Sequence, residues 1–366
     1  MKSDATRTLL VTRSDLRRIV EELGADALMD ELIRDLTDAL RTFDGDLTDV
    51  RKRDGFLLEH PRQTGCLEWM PVMRRGDSVT VKMVSYSPLN PEEQGLPTII
   101  ATNSLYDVKT GHLLALMDGV FATALRTGAA SAVATRCLAS PDSRVLGLVG
   151  CGAQAVTQLH AISRVFPLTE VLAFDTNEEA RQSLSRRTRF LGLDVKPVSL
   201  EELEARSDIL CTATSVVVGG GPVISGQSLK PHVHINAVGS DLPSKTELPK
   251  AVLERSLVCP DFLAQAMVEG ECQQLRPDQV GPDLVTLVKN PDVYEPWRQR
   301  MTVFDSTGYA LEDQVVTALL LRHAERLGLG TSVGLETVGG DALDPYSVLR
   351  EPEPSSVRDL RRATGS

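Results

Sequence analysis

Val145-Leu146-Gly147-Leu148-Val149-Gly150-Cys151-Gly152-Ala153-Gln154-Ala155 is the stretch that decides the fold. Its first residues form a short unbroken apolar run, as a strand buried on both faces requires. Gly150, Gly152 and Ala155 then fit G-x-G-x-x-[G/A], and helical spacing follows, with Val156, Leu159, Ile162 and Phe166 on one side. A strand, a glycine turn and a helix in that order make a dinucleotide cradle. Gly150 permits the tight turn, Gly152 lets backbone approach a pyrophosphate, and Ala155 lets helix and sheet pack closely. The helix start faces the phosphates with free N–H groups.

Downstream of this turn, strands and helices alternate. Strand-like runs fall at 171–175, 208–214, 233–239, 256–260 and 301–306. That rhythm predicts a Rossmann-type, doubly wound parallel sheet. Upstream, residues 120–139 are Ala-rich and helical, with small residues that permit close packing. Before them the character changes. Leu16, Ile19, Val20 and Leu23, then Leu28, Leu32, Ile33, Leu36 and Leu40, make helical stripes broken near Gly24, with Thr12 or Ser14 as the cap. Residues 41–66 read as a polar loop. Strands follow at 67–73 and 78–85, and a hairpin joins 98–106 to 112–117. The first 117 residues thus read as α+β, mostly antiparallel, and the tail from about 340 reads as irregular.

Composition excludes several classes. Of 366 residues, 50 are acidic and 39 are Lys or Arg, a formal charge of −11 that repels nucleic-acid phosphates. No apolar run approaches a membrane span, and no signal-peptide pattern is seen, so the expected location is cytoplasmic. The six cysteines show neither CxxC pairs nor zinc spacing, and no metal is expected. Ser-hydrolase and P-loop motifs are missing from the sequence.

In open α/β sheets ligands lie beyond the carboxyl ends of the strands. Thr212 and Thr214, the run Gly239-Ser240-Asp241, and the run Asp305-Ser306-Thr307-Gly308 occupy such places. Asp175 at the next strand's end reads as an acceptor for adenosine ribose hydroxyls, favouring NAD over NADP, or as a cap before Asn177. Asp241 reads as an acid/base or as a helix cap before Lys245 and Glu247. Arg126, mid-helix among small residues, calls for a carboxylate or phosphate partner. Strand alternation puts Lys82 opposite Val81 and Met83, which reads as solvent-exposed. His232 and His234 read as structural.

Four segments together resemble the ornithine cyclodeaminase/mu-crystallin family: ALRTGAASAVATRCLA (124–139), LGLVGCGAQAVTQL (146–159), DILCTATS (208–215) and HINAVGSDLPSKTELP (234–249). Within that family LEWMP (67–71), YSPLNP (86–91), GECQQL (270–275), VFDSTG (303–308) and GDALDPY (340–346) resemble the lysine cyclodeaminases of bacterial secondary metabolism. The resemblance implies roles position by position. Asp241 looks like the catalytic aspartate. Glu68 and Lys82 match the substrate-site glutamate and lysine, and Arg126 is similar to the arginine that holds the substrate carboxylate. Arg53, with Arg51 as the other candidate, matches a further substrate-side arginine. Besides Gly150 and Gly152, NAD-contact positions fall at Thr98, Arg126, Ala153, Gln154, Asp175, Thr214, Asn236, Ala237, Val238, Gly239, Lys245 and Ser306. Cys151 stands where Ala or Thr is more usual.

The implied chemistry is redox-neutral. A hydride leaves Cα of a basic amino acid for NAD, giving an α-imine. The terminal amine attacks, ammonia departs, and the hydride returns to the cyclic imine. L-Lysine then gives L-pipecolate, and L-ornithine gives L-proline. The alternatives are an NAD(P)H-dependent ketimine reductase or amino-acid dehydrogenase, and, less in keeping with Asp241, Lys82 and Arg126 together, a non-catalytic ligand binder. The resemblance also implies a homodimer. It implies a substrate and dimerisation domain from 1–120 and 325–366, and an NAD domain over 121–324.

Overall fold

The computed structural model describes residues 7–337 and 342–349. Most of the tail expected to be irregular lies outside the described residues. Two sheets organise the chain. The first has seven strands in the order β15-β1-β7-β6-β5-β4-β2 plus β3 on β4. These are β1 (Thr8–Val11), β2 (Thr48–Val50), β3 (Asp54–Leu58), β4 (Gly65–Arg74), β5 (Ser78–Tyr86), β6 (Ile99–Asp107), β7 (Leu113–Asp118) and β15 (Thr331–Val333). All its pairings are antiparallel except β1 with β7. β15 pairs with β1, so the end of the described chain returns to its beginning. Strands β2 and β3 fall inside 41–66, a stretch whose polarity reads as a loop. They are short, sparsely buried edge strands, so no apolar alternation marks them.

The second sheet is wholly parallel, in the order β10-β9-β8-β11-β12-β14-β13. It comprises β8 (Val145–Val149), β9 (Glu170–Phe174), β10 (Val195–Pro197), β11 (Ile209–Thr212), β12 (His234–Ala237), β13 (Leu257–Pro260) and β14 (Thr302–Asp305). Strands β11, β12 and β14 are buried at every position, as strands covered on both faces must be. The strand order reverses at β8, between β9 and β11, and the glycine-rich turn sits there. This is the Rossmann-type doubly wound arrangement with its ligand crevice at the switch point.

Helices join the sheets. Thr12 caps the helix Arg13–Leu23, its N–H donating to Asp15 Oδ2 at 2.8 Å. Gly24 separates that helix from Ala25–Arg41, whose Leu28, Met29, Leu32, Leu36 and Leu40 are buried. The helix Gly119–Leu138 is the central beam. Fifteen of its 20 residues are buried, and it packs on helices of both parts. At Gly128 an added Cβ would lie 2.5 Å from the Thr157 carbonyl oxygen, so only glycine allows this approach to the helix Ala153–Val165. The helix Ala310–Arg326 lies on the inner face of the first sheet, against Gly119–Leu138. No helix among the described residues is long and apolar enough to cross a membrane.

Candidate active site

The glycine turn is built from backbone. Gly150 has φ +91°, and a Cβ there would stand 2.6 Å from the Ala213 carbonyl oxygen. Its left-handed conformation and the neighbouring loop both demand glycine. At Gly152 the reverse holds, because an added Cβ meets no atom within 4 Å. No packing within the chain explains the missing side chain, and the opening suits a ligand drawn against the helix start. Ala153 is exposed and Gln154 half-buried beside it, while Ala155 is fully enclosed. Asp175 closes the turn from the β9 end, accepting from the Cys151 amide at 2.6 Å and the Asn177 amide at 2.7 Å. Arg187 donates to the Cys151 and Gly152 carbonyls and steadies the turn from outside.

The loops after the other strands are tied by buried carboxylates. Glu247 accepts from the Thr212 hydroxyl, from the Thr214 amide and hydroxyl, and from the Gly239 amide, all within 2.9 Å. Glu271 accepts from the amide of Glu247 at 2.6 Å, and Asp305 from the amides of Glu271 and Cys272 at 2.9 and 2.8 Å. Asp261 accepts from the Gly308 amide at 2.6 Å. Asp305 is therefore a loop brace, fully buried, rather than a group presented to the crevice; burial pushes its carboxyl up to about 7. The Asn236 side chain is likewise enclosed, donating to the Thr135 hydroxyl at 3.0 Å. Ala237 ends β12, and the Val238 amide donates to the Thr212 carbonyl. The Ser306 hydroxyl is buried without a hydrogen-bond partner. Thr98 lies across the crevice, just before β6, its carbonyl accepting from the Ser87 amide.

The inner face of the first sheet supplies the opposite wall. Cys66, Glu68 and Met70 of β4 and Thr80, Lys82, Val84 and Tyr86 of β5 share this face. Lys82 corrects the reading from alternation, for only 1% of its surface is exposed. The apolar Met83 and Ile100 of the other parity point outward, so the apolar row that suggested a core is the outer face. Lys82 Nζ donates to Asp313 Oδ1 at 3.0 Å. Arg126 finds its carboxylate within the chain, donating from Nη1 to Glu312 Oε2 at 2.8 Å, with Nε 3.4 Å from Asp313. Burial and the Arg126 cation pull the Lys82 ammonium down to about 8, against Asp313.

A second charged group lies at the other end. Arg53 donates from Nε to Glu269 at 2.6 Å and from Nη2 to the Asp241 carbonyl at 2.8 Å, with Glu68 at 3.6 Å. It spans the crevice from one sheet's loop to the other's. Arg51, by contrast, is exposed and pairs with Asp49, away from this group. Asp241 caps no helix; residues after it run as loop to the helix Lys250–Leu253. Its Oδ1 takes the Lys245 ammonium at 2.7 Å, and that ammonium lies 4.5 Å from the Tyr86 ring centre. Burial pushes the Glu269 carboxyl up to about 7, opposed by Arg53. His234 is buried on Thr302 and His232 lies near Asp208, both outside the crevice.

Sequence reasoning missed Glu269, Glu312 and Asp313. The signal for the last two was available, since adjacent carboxylates interrupt a helix whose neighbouring residues Ala310, Leu311 and Val316 are apolar and buried. Acidic residues in a first turn have an ordinary explanation in the helix dipole, which masks it.

A glycine turn at the switch point of a parallel sheet, facing a charged crevice, defines a Rossmann-type dinucleotide-binding scaffold joined to a second α+β unit. The chain belongs to the ornithine cyclodeaminase/mu-crystallin family, whose model matches residues 14–326. It is 43% identical to the L-lysine cyclodeaminase of Streptomyces rapamycinicus over 343 residues, covering 93% of this chain and 100% of that protein. Among solved structures it is similar to a lysine cyclodeaminase studied for its recognition of L-lysine, L-ornithine and L-2,4-diaminobutyric acid. The TM-score is 0.90 at 48% identity, over 93% of this chain and 99% of that one. An archaeal alanine dehydrogenase dimer with bound NAD gives a TM-score of 0.79 at 31% identity, over 90% of this chain and 100% of that one.

Proposed function

We propose that the chain is an ammonia-lyase that cyclises L-lysine to L-pipecolate with release of ammonia, using bound NAD. The observation that carries this reading is the order of charge in the crevice. Lys82 and Arg126, balanced by Asp313 and Glu312, stand at one end, and the carboxylates of Glu68, Glu269 and Asp241, which outnumber Arg53 and Lys245, at the other. A diamino acid is complementary to that order, its carboxylate toward the cations and its terminal ammonium toward the acids. The similarity to lysine cyclodeaminases along nearly the whole chain supports lysine as the substrate and a role in secondary metabolism.

The residues present fit the dinucleotide. The space beside Gly152 and the unpartnered hydroxyl of Ser306 are what such a ligand needs at its two ends. Gly150, Gly152, Ala153 and Gln154 would hold the pyrophosphate. Asp175 has lone pairs left for a ribose after its two amide bonds. Thr98, Arg126, Thr214, Val238, Gly239, Lys245 and Ser306 would complete the site, with the buried Asn236 and Ala237 of β12 behind them. Bound NAD supplies a reversible hydride acceptor at the substrate Cα.

The chain's own residues do the rest. Arg126 and Lys82 hold the carboxylate and so fix Cα. Asp241 takes the proton of the terminal ammonium, freeing the amine that attacks. Lys245 holds the Asp241 carboxylate and Arg53 its main chain, while Glu68 balances the cations.

Mass spectrometry of protein incubated with L-lysine or L-ornithine and NAD⁺, with absorbance at the NADH band, tests this. Pipecolate and ammonia without net NADH is the expected result. Ornithine is the second reading, because one methylene is worth only about 1–3 kcal/mol in a pocket; proline outrunning pipecolate would establish it. Stoichiometric NADH changes, with no ring acid from either diamino acid, would point to the dehydrogenase or reductase that the alanine dehydrogenase likeness favours.

The outer face of the first sheet exposes Phe56, Leu67, Met83, Ile100 and Leu114. Exposed apolar residues on this face support a homodimer formed by pairing these sheets. Light scattering at micromolar concentration should give twice the chain mass, and a monomer would remove the proposal. The division into a substrate and dimerisation domain (1–120, 325–366) and an NAD domain (121–324) is part of the same reading. So is a cytoplasmic location, supported by six unpaired cysteines.

A further inference from the structure

The carboxylate end of the crevice has one group left over. Lys82, Arg126, Glu312 and Asp313 carry two positive and two negative charges when all are ionised. A substrate carboxylate arriving there would leave this buried set with one net negative charge. Burying an unbalanced charge is strongly unfavourable unless a proton removes it.

Geometry shows which carboxyl takes the proton. Asp313 Oδ1 accepts from the Lys82 ammonium at 3.0 Å, with Arg126 Nε at 3.4 Å; its Oδ2 makes no hydrogen bond but lies 3.0 Å from the same ammonium, so both its oxygens face a cation. Glu312 is fully buried, and only its Oε2 is bonded, to Arg126 Nη1. Its Oε1 is enclosed with no hydrogen-bond partner. An ionised oxygen in that state lacks a donor, whereas a protonated one lacks only an acceptor, and the incoming carboxylate on Arg126 is an acceptor.

We propose that Glu312 binds the substrate carboxylate as a neutral carboxylic acid, its Oε1–H donating to the carboxylate held by Arg126 and Lys82. Above about pH 8, where the empty site has lost it, the proton comes from solvent as the ligand enters, so binding there is coupled to proton uptake. The inference rests on the lysine cyclodeaminase reading and adds a substrate contact to it. The charged and titratable groups facing Glu312 are Arg126 from the central helix, Asp261 from the loop after β13, and Asp313 and Tyr309 from its own segment; Lys82 of β5 acts through Asp313. Burial already pushes the Glu312 carboxyl up to about 8, against the pull of Arg126, and Asp261 and Asp313 add to the rise.

Calorimetric titration of L-pipecolate into NAD-loaded protein, repeated in buffers of different ionisation enthalpy, tests this. At about pH 9 the wild-type protein should take up roughly one proton per ligand bound, and Glu312→Gln markedly less. Uptake that the variant retains in full belongs to Lys82 and overturns the role of Glu312. Binding by the wild-type protein without uptake overturns it as well. No binding, together with no ring acid from L-lysine, overturns the functional reading beneath it. Infrared difference spectra of the wild-type protein give an independent readout. A carboxylic-acid C=O band should appear with L-pipecolate at the same pH and be missing in Glu312→Gln; its absence from the wild type overturns the proposal.

Discussion

The glycine turn and the charged crevice face each other at the mouth of the parallel sheet, yet they are built in opposite ways. The turn consists of consecutive residues, and its shape is set by what is missing, a side chain at 150 and another at 152. The crevice is assembled from side chains at 53, 68, 82, 126, 241, 269, 312 and 313, carried by two strands of the first sheet, two helices and three loops. Backbone sites tolerate exchange of neighbouring side chains and fail by steric intrusion. Side-chain sites of paired charge fail when one partner is lost.

The sharpest test of the contrast is Asp241→Asn. It should leave NAD binding intact and reduce ring formation by roughly 10²–10⁴-fold, as loss of a general acid–base does. Product formation measured beside nucleotide titration checks it, and near-normal turnover would remove Asp241 from its role. Next is Arg126→Leu, which strands Glu312 in the interior and leaves Asp313 with Lys82 alone. Urea denaturation should show a loss of about 3–5 kcal/mol, with partial recovery in the double variant with Glu312→Gln. If the single variant is as stable as wild type, the charges at this end are not coupled as described.

On the backbone side the two glycines should separate. Gly150→Ala meets the Ala213 carbonyl and a left-handed φ, and should cost about 1–3 kcal/mol. Gly152→Ala meets nothing and should leave the melting temperature unchanged while weakening NAD binding. Equal thermal losses in both would mean that the turn at 152 is held by the fold rather than kept open for a ligand.

The smallest effect is on stability against pH. Glu312 has its folded value raised from 4.5 to about 8. The native state therefore keeps a proton that the unfolded chain gives up, and this contribution is complete below the unfolded value and lost as pH rises through the folded one. Wild-type stability should decline between about pH 4.5 and 8, and Glu312→Gln should flatten part of that decline in urea midpoints. A slope unchanged in the variant would assign the effect to Glu269 or Asp305, both pushed up to about 7.

Legibility in the sequence follows the same division. The parallel sheet, the glycine turn and the central small-residue helix are written in consecutive residues, where local periodicity is a sufficient guide. Lys82 was misread from alternation because the first sheet exposes apolar residues on its outer face, so hydrophobicity pointed the wrong way. Resemblance to the family, rather than spacing, drew Arg53, Glu68, Lys82 and Arg126 together. Glu269 was invisible because nothing near it in sequence hints at Arg53, more than 200 residues earlier. Asp305 sat at a strand end as a ligand-facing residue would, but its two bonds go to backbone amides of a neighbouring loop.

Gly128 has a further meaning. Arg126, at the carboxylate end, sits on the helix whose closest backbone approach to the helix that opens at the glycine turn falls at Gly128, against the Thr157 carbonyl. The spacing between the two ligand ends is thus gauged by a bare backbone-to-backbone touch, the least compressible ruler a protein can make. A single methyl group at 128 would have to wedge the two helices apart, and with them the two ends of the crevice. Neither partner's binding residues would have changed.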